Sequence, residues 1–155
     1  MANLIKNTSN GTSVTGTAQT ITVSELITAN SVAVGDILEM VAFVKKVVTT
    51  ATLTVRFYVN TANNLTGATQ IGVYGGAAGT AFIYTIGKNW IVKSSTSTIG
   101  YTAVNSSITP DISSPSAYGN FNIDWSVDQY FMVVLNHSSG ASSNSYSTGL
   151  LVLKR

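Results

Sequence analysis

Apolar and polar residues alternate most cleanly in TATLTVRFYVN, residues 50–60. Ala51, Leu53, Val55, Phe57 and Val59 share one face of an extended chain, and Thr52, Thr54, Arg56, Tyr58 and Asn60 share the other. Successive side chains of a strand point to opposite faces, so this segment predicts a strand with one face in a core and one in water. Three further segments keep the strand rhythm but are apolar on both faces. In residues 36–46, Leu38, Met40, Ala42 and Val44 alternate with Ile37, Glu39, Val41, Phe43 and Lys45. QYFMVVLNH sets Phe131, Val133 and Leu135 against Tyr130, Met132 and Val134, and TGLLVLKR sets Leu150 and Val152 against Leu151 and Leu153. One face of each belongs between two packed sheets. The other must also leave water.

The remaining strand candidates are LIK at 4–6, QTITVSELI, ATQIGVY, TAFIYTI, NWIVKSS, TIGYTAV and NFNIDW. Between them lie turn residues: Val34-Gly35-Asp36, a glycine bend at 75–79, and a polar stretch at 105–120 holding Pro110 and Pro115. No window carries a convincing helical period. About eight to ten short strands predict an all-β, two-sheet sandwich or barrel-like fold. Residues 14–155 form a single domain in this reading, and residues 1–13 form an N-terminal arm or docking segment.

Composition narrows the function. Only 9% of residues are charged, while Ser and Thr number 40 and Asn 13, so hydroxyls and amides must solvate the surface. The net charge of +2 comes from few charges of either sign. With no basic stripe interleaved with aromatics, nucleic acid is not an expected partner. Lys45 and Lys46 read as a solvated strand end. The absence of cysteine removes disulfides and thiolate metal sites. No apolar run is long enough for a membrane helix, and the first residues lack signal-peptide architecture, so synthesis in a cytoplasm without export is expected.

Candidate chemistry is thin. His137, the single histidine, reads as a strand-end surface residue with no nucleophile elbow to serve. Asp124 and Asp128 flank Trp125 and read as turn caps rather than as a paired-carboxylate site; Asp36 reads the same way. Tyr74 to Thr80, YGGAAGT, lacks the Lys-Ser/Thr of a phosphate loop. No cofactor, metal or catalytic residue is expected. Trp90, Trp125, Tyr101 and Tyr130 suit core or cross-strand packing, whereas Tyr118 and Tyr146 fall in expected loops, where they could contact a ligand.

The second faces then carry the functional expectation. Val41, Phe43, Met132, Val134, Leu151 and Leu153 would expose an apolar patch in a monomer, and such patches mark interfaces. Another copy of the same chain is the simplest cover.

The hydroxyl-rich strand before Thr28-Ala29-Asn30, the Val34-Gly35-Asp36 entry to Leu38 and the strand from Leu53 to Val59 resemble jelly-roll proteins of tailed-bacteriophage virions: head fibres, capsid decoration proteins and fibre tips. The resemblance covers residues 11–71 well and the rest in strand rhythm only. It implies a two-sheet antiparallel jelly roll forming a homotrimer like those of the tumour-necrosis-factor family. The expected role is a non-enzymatic structural one on the particle exterior, with a major capsid protein or fibre shaft as partner. The alternative is a receptor-binding module that recognises a host surface glycan through Tyr118 and Tyr146.

Overall fold

The computed structural model describes residues 2–7, 10–47, 51–75, 81–94, 97–101, 118–139 and 144–154. The glycine bend at 76–79 and the stretch at 105–117 with Pro110 and Pro115 lie outside the described residues. Ten strands are formed: β1 Ala2–Asn7, β2 Thr20–Ile27, β3 Ile37–Val47, β4 Leu53–Asn60, β5 Thr69–Gly75, β6 Phe82–Ser94, β7 Ser97–Tyr101, β8 Tyr118–Phe121, β9 Gln129–His137 and β10 Asn144–Lys154.

They make two sheets. A six-stranded sheet has the order β1-β10-β3-β6-β7-β8, and a four-stranded sheet the order β2-β9-β4-β5. Every pairing is antiparallel. The chain passes between sheets from β1 to β4, and β9 and β10 later insert between β2 and β4 and between β1 and β3. That winding is a jelly roll of four strands per sheet, widened on one side by the β7–β8 pair. The sandwich expected from the sequence is therefore present.

Parity builds the core. β4 alternates buried and half-buried residues along its whole length, with Leu53, Val55, Phe57 and Val59 inward. Leu38, Met40, Ala42 and Val44 of β3 and Leu150 and Val152 of β10 face them and their sheet neighbours Phe131, Val133 and Leu135 of β9. At one end the Phe131 ring stacks on Trp125 at 6.1 Å and meets Trp90 at 6.1 Å with a 54° tilt. The Trp90 indole N–H donates to the Ile71 carbonyl at 3.1 Å, tying β6 of one sheet to β5 of the other. A buried indole N–H left unbonded would oppose burial of the ring.

Several boundaries differ from the sequence reading. TAFIYTI and NWIVKSS are one strand, β6, because its pairing with β3 runs unbroken from Ile37↔Ile91 to Lys46↔Phe82. NFNIDW is strand only to Phe121, and the rest is the turn into β9. β10 begins at Asn144, before the expected Thr148, because a register shift between Ser147 and Gly149 lets the Ser-rich segment keep pairing with β3. The expected N-terminal arm is also different: residues 2–7 are edge strand β1, bonded to β10.

Between β1 and β2 the chain crosses from one sheet to the other. The Gly11 N–H donates to Ser147 O at 2.7 Å, and the Thr12 N–H donates to Thr22 O at 3.0 Å. Gly11 is required there, since a Cβ would be driven into the Thr22 carbonyl, and backbone cannot give way as a flexible side chain can. Gly11→Ala should lower stability by about 1–3 kcal/mol, the usual cost of overpacking. A urea-unfolding midpoint equal to that of the parent chain would show the crossing to be slack.

Candidate functional site

The outward side chains of β3 and β6 form the most apolar exposed surface among the described residues. Ile37, Val41 and Phe43 of β3 share it with Ile83 and Ile91 of β6. Ile83 is 69% exposed and Phe43 36%, while Val41 is half-buried. Phe43 pairs with Thr85 on one side and Gly149 on the other, and Val41 lies between Gly87 and Leu151. Three of these four neighbours are too small to cover an aromatic or branched side chain. Leu151 and Leu153 belong to the same face by register, but their side chains lie outside the described residues. Ile37, Ile83 and Ile91 were not anticipated. Ile83 and Ile91 fall in two segments read as separate strands, which hid their common face.

Met132 and Val134 are placed differently from expectation. They point outward from the four-stranded sheet, yet neither is exposed at all. Two polar bridges over β9 account for this. The Tyr58 hydroxyl of β4 bonds to Gln70 on β5 and to Gln19 before β2, both at 3.1 Å. Arg56 donates to Asn136, whose own amide donates to the Thr17 carbonyl at 3.3 Å. In register, Met132 sits between Ser24 and Tyr58, and Val134 between Ile21 and Arg56. The stems of long polar side chains cover apolar neighbours while their heads stay bonded. Met132 and Val134 are thus buried by their own chain and are not interface residues.

The loop aromatics fare similarly. Tyr146 lies within β10, half-buried, and Lys45 opposite it sits 5.8 Å from its ring centroid. Tyr118 opens β8, and its side chain lies outside the described residues. Trp90 and Trp125 are core residues, as their packing on Phe131 requires.

The acids hold turns. Asp124 Oδ1 accepts from the Ser126 N–H at 2.9 Å and from its hydroxyl at 2.6 Å, and these bonds hold its carboxyl below the usual range. Asp36 Oδ2 accepts from the Ala33 N–H at 2.7 Å and pairs with Lys154 at 3.2 Å, beside Gly35 at φ 91°. Asp128 instead accepts from the Ala29 N–H at 2.8 Å, clamping the loop between β2 and β3. No cluster of three or more His, Cys, Asp or Glu suited to a metal occurs among the described residues.

The far end of the sandwich is polar inside. Lys46 and His137, expected on the surface, are both 0% exposed. Parity explains both: Lys46 continues the inward series Leu38, Met40, Ala42, Val44, and His137 continues Phe131, Val133, Leu135. Ser145 and Ser147 are buried beside them, and the Ser147 hydroxyl lies 2.7 Å from that of Thr22. Among the described residues neither ring nitrogen of His137 has a hydrogen-bond partner within normal geometry, and no acid orients the ring for base catalysis. Burial pushes its pKa below the ordinary value, against the Val14 carbonyl nearby, and the Lys46 charge adds to the depression. Burial likewise lowers the pKa of Lys46.

Compared with known proteins, the chain matches no family model, no curated protein and no solved structure.

A histidine whose folded pKa lies below its unfolded value contributes stability above the unfolded pKa and loses it as pH falls. The urea midpoint should therefore decline as pH falls below 6.5, the unperturbed value. His137→Leu should remove this decline between about pH 6.5 and pH 5, above the range where carboxylates titrate. An equal slope in the variant would place the pH dependence elsewhere.

Proposed function

We propose that this chain is a non-enzymatic structural subunit of a tailed-bacteriophage virion, a capsid decoration or head-fibre component. It assembles as a homotrimer through the outer face of its six-stranded sheet. The observation that carries the reading is the apolar patch of exposed Ile37, Phe43, Ile83 and Ile91 with half-buried Val41 on two adjacent central strands, interrupted by the Glu39–Asn89 pair. Apolar burial stabilises by about 25 cal/mol per Å², so a few hundred Å² per copy offers on the order of 5–10 kcal/mol against the cost of association. The low charge leaves little repulsion between copies that meet on this face. The jelly-roll winding supports the virion assignment, together with the resemblance across residues 11–71 to virion jelly rolls.

The role asked of the chain is then burial and shape. A stiff two-sheet body presents one apolar face to its symmetry mates and a hydroxyl- and amide-rich surface to water. The major capsid protein or a fibre shaft would receive the assembled trimer.

Light scattering should give three chain masses at micromolar concentration, and Phe43→Asp should yield folded monomer, because a buried unpaired carboxylate opposes association. A parent chain that is monomeric, or a variant of unchanged mass and melting temperature, would remove this face from the assembly. Antibody to this chain should decorate the outside of particles in electron micrographs, and particles that bind none would sink the virion reading.

A further inference from the structure

At the end of the sandwich opposite His137, the loop from β4 to β5 meets the connection from β8 to β9 around an open cavity of about 270 Å³. Val59 and Ile123 give it an apolar floor, and Asn60, Thr69, Asp124 and Gln129 give it polar walls. Among the described residues, no lysine, arginine or histidine lines it.

Three of the wall residues are oriented by bonds that use only one end of each polar group. Gln129 is 4% exposed, and its Nε2 donates to the Asp124 backbone carbonyl at 2.7 Å, leaving Oε1 with no partner among the described residues. Asp124 gives Oδ1 to Ser126 and leaves Oδ2. Asn60 donates Nδ2 to the Asn64 and Thr66 carbonyls at 2.9 and 3.1 Å, leaving Oδ1. The loop carrying these carbonyls is set by the Thr66 N–H bonded to Asn64 Oδ1 at 3.0 Å and by Gly67 at φ 73°. The wall of the cavity is therefore held by its own hydrogen bonds, and three acceptor oxygens of its lining residues stay unbonded among the described residues.

Acceptors without a cationic neighbour select against anions, since an anion would meet the Asp124 carboxylate uncompensated. A calcium ion takes about six to eight oxygens and usually several charges, whereas this cavity has one carboxylate and is far wider than an ion. A neutral ligand with several hydroxyl donors on a compact apolar ring satisfies both surfaces. Each hydroxyl can donate to a waiting oxygen while the ring rests on Val59 and Ile123.

We propose that this cavity binds one neutral sugar ring of a glycan, its hydroxyls donating to Asp124 Oδ2, Gln129 Oε1 and Asn60 Oδ1. The cavity lies at the end of the sandwich and shares no lining residue with the proposed assembly face, so either reading can fail without the other.

The full-length ¹⁵N-labelled chain would be titrated separately with glucose, galactose, mannose and N-acetylglucosamine to about 100 mM, well above a millimolar Kd. Calcium chloride forms a separate arm. At least one sugar should saturably shift the amide signals of residues 59–69 and 122–129. Asp124→Asn keeps the oxygen that accepts from Ser126 but loses the charged acceptor, and should weaken binding about tenfold. Thr61→Phe, which fills the mouth from an exposed position, should abolish the shifts while leaving other signals in place. The proposal is overturned if none of the four sugars moves these signals, or if the shifts map elsewhere. Unchanged affinity in Asp124→Asn, or calcium alone moving the same signals, would overturn it equally.

Discussion

Between Gly11 and Gly16 the main chain bonds to strands of both sheets: to Ser147 and Ser145 of β10, to Thr22 of β2 and to His137 of β9. Two sheets held only by interdigitating side chains can shift against one another at modest cost, but main-chain bonds to both fix their offset. The Thr22–Ser147 hydroxyl contact forms at the same place, and it needs that offset to be correct. The crossing also brings the Val14 carbonyl toward the imidazole and closes the polar end over Lys46 and His137. Without it, two charged or chargeable groups would lie at an open mouth, and the inward parity of β3 and β9 would lose its cover.

The two outer faces show how one sequence signature meets two environments. β3 and β9 are each central in their sheets, and each carries apolar residues on its outward side. Beside β9 stand Tyr58 and Arg56, long enough to reach across it and polar enough to bond on the far side. Beside the outward residues of β3 stand Gly87, Thr85 and Gly149, which reach nowhere. What decides whether an apolar outward residue is covered is the length of its cross-strand neighbours, and that depends on register.

This explains what could be seen in the sequence. The strand of residues 53–60 is legible because its alternation is unbroken and its pairing with β9 is regular, even though its pairing with β5 shifts register between Phe57 and Tyr58. The Asp124 and Asp36 turns were legible because Asx caps act within a few residues. Residue type points Lys46 and His137 to the surface, whereas parity buries them: each stands two residues beyond the last apolar member of an inward row. Tyr146 was misplaced because a bulge let a Ser-rich segment stay in the sheet, and bulges leave little trace in composition. Asn60 and Gln129 could not be singled out in a chain with 13 Asn, since they meet only through the pairing of β4 with β9.

Both tryptophans pack on Phe131 at one end of the sandwich, and the single imidazole lies at the other. The molecule thus carries two natural reporters that share no neighbourhood. Indole fluorescence observes only the end beside the cavity, and the imidazole proton resonances observe only the end closed by the crossing. Coincidence of the two signals during denaturation distinguishes a sandwich that melts as one cooperative unit from one that frays end by end, with no label introduced.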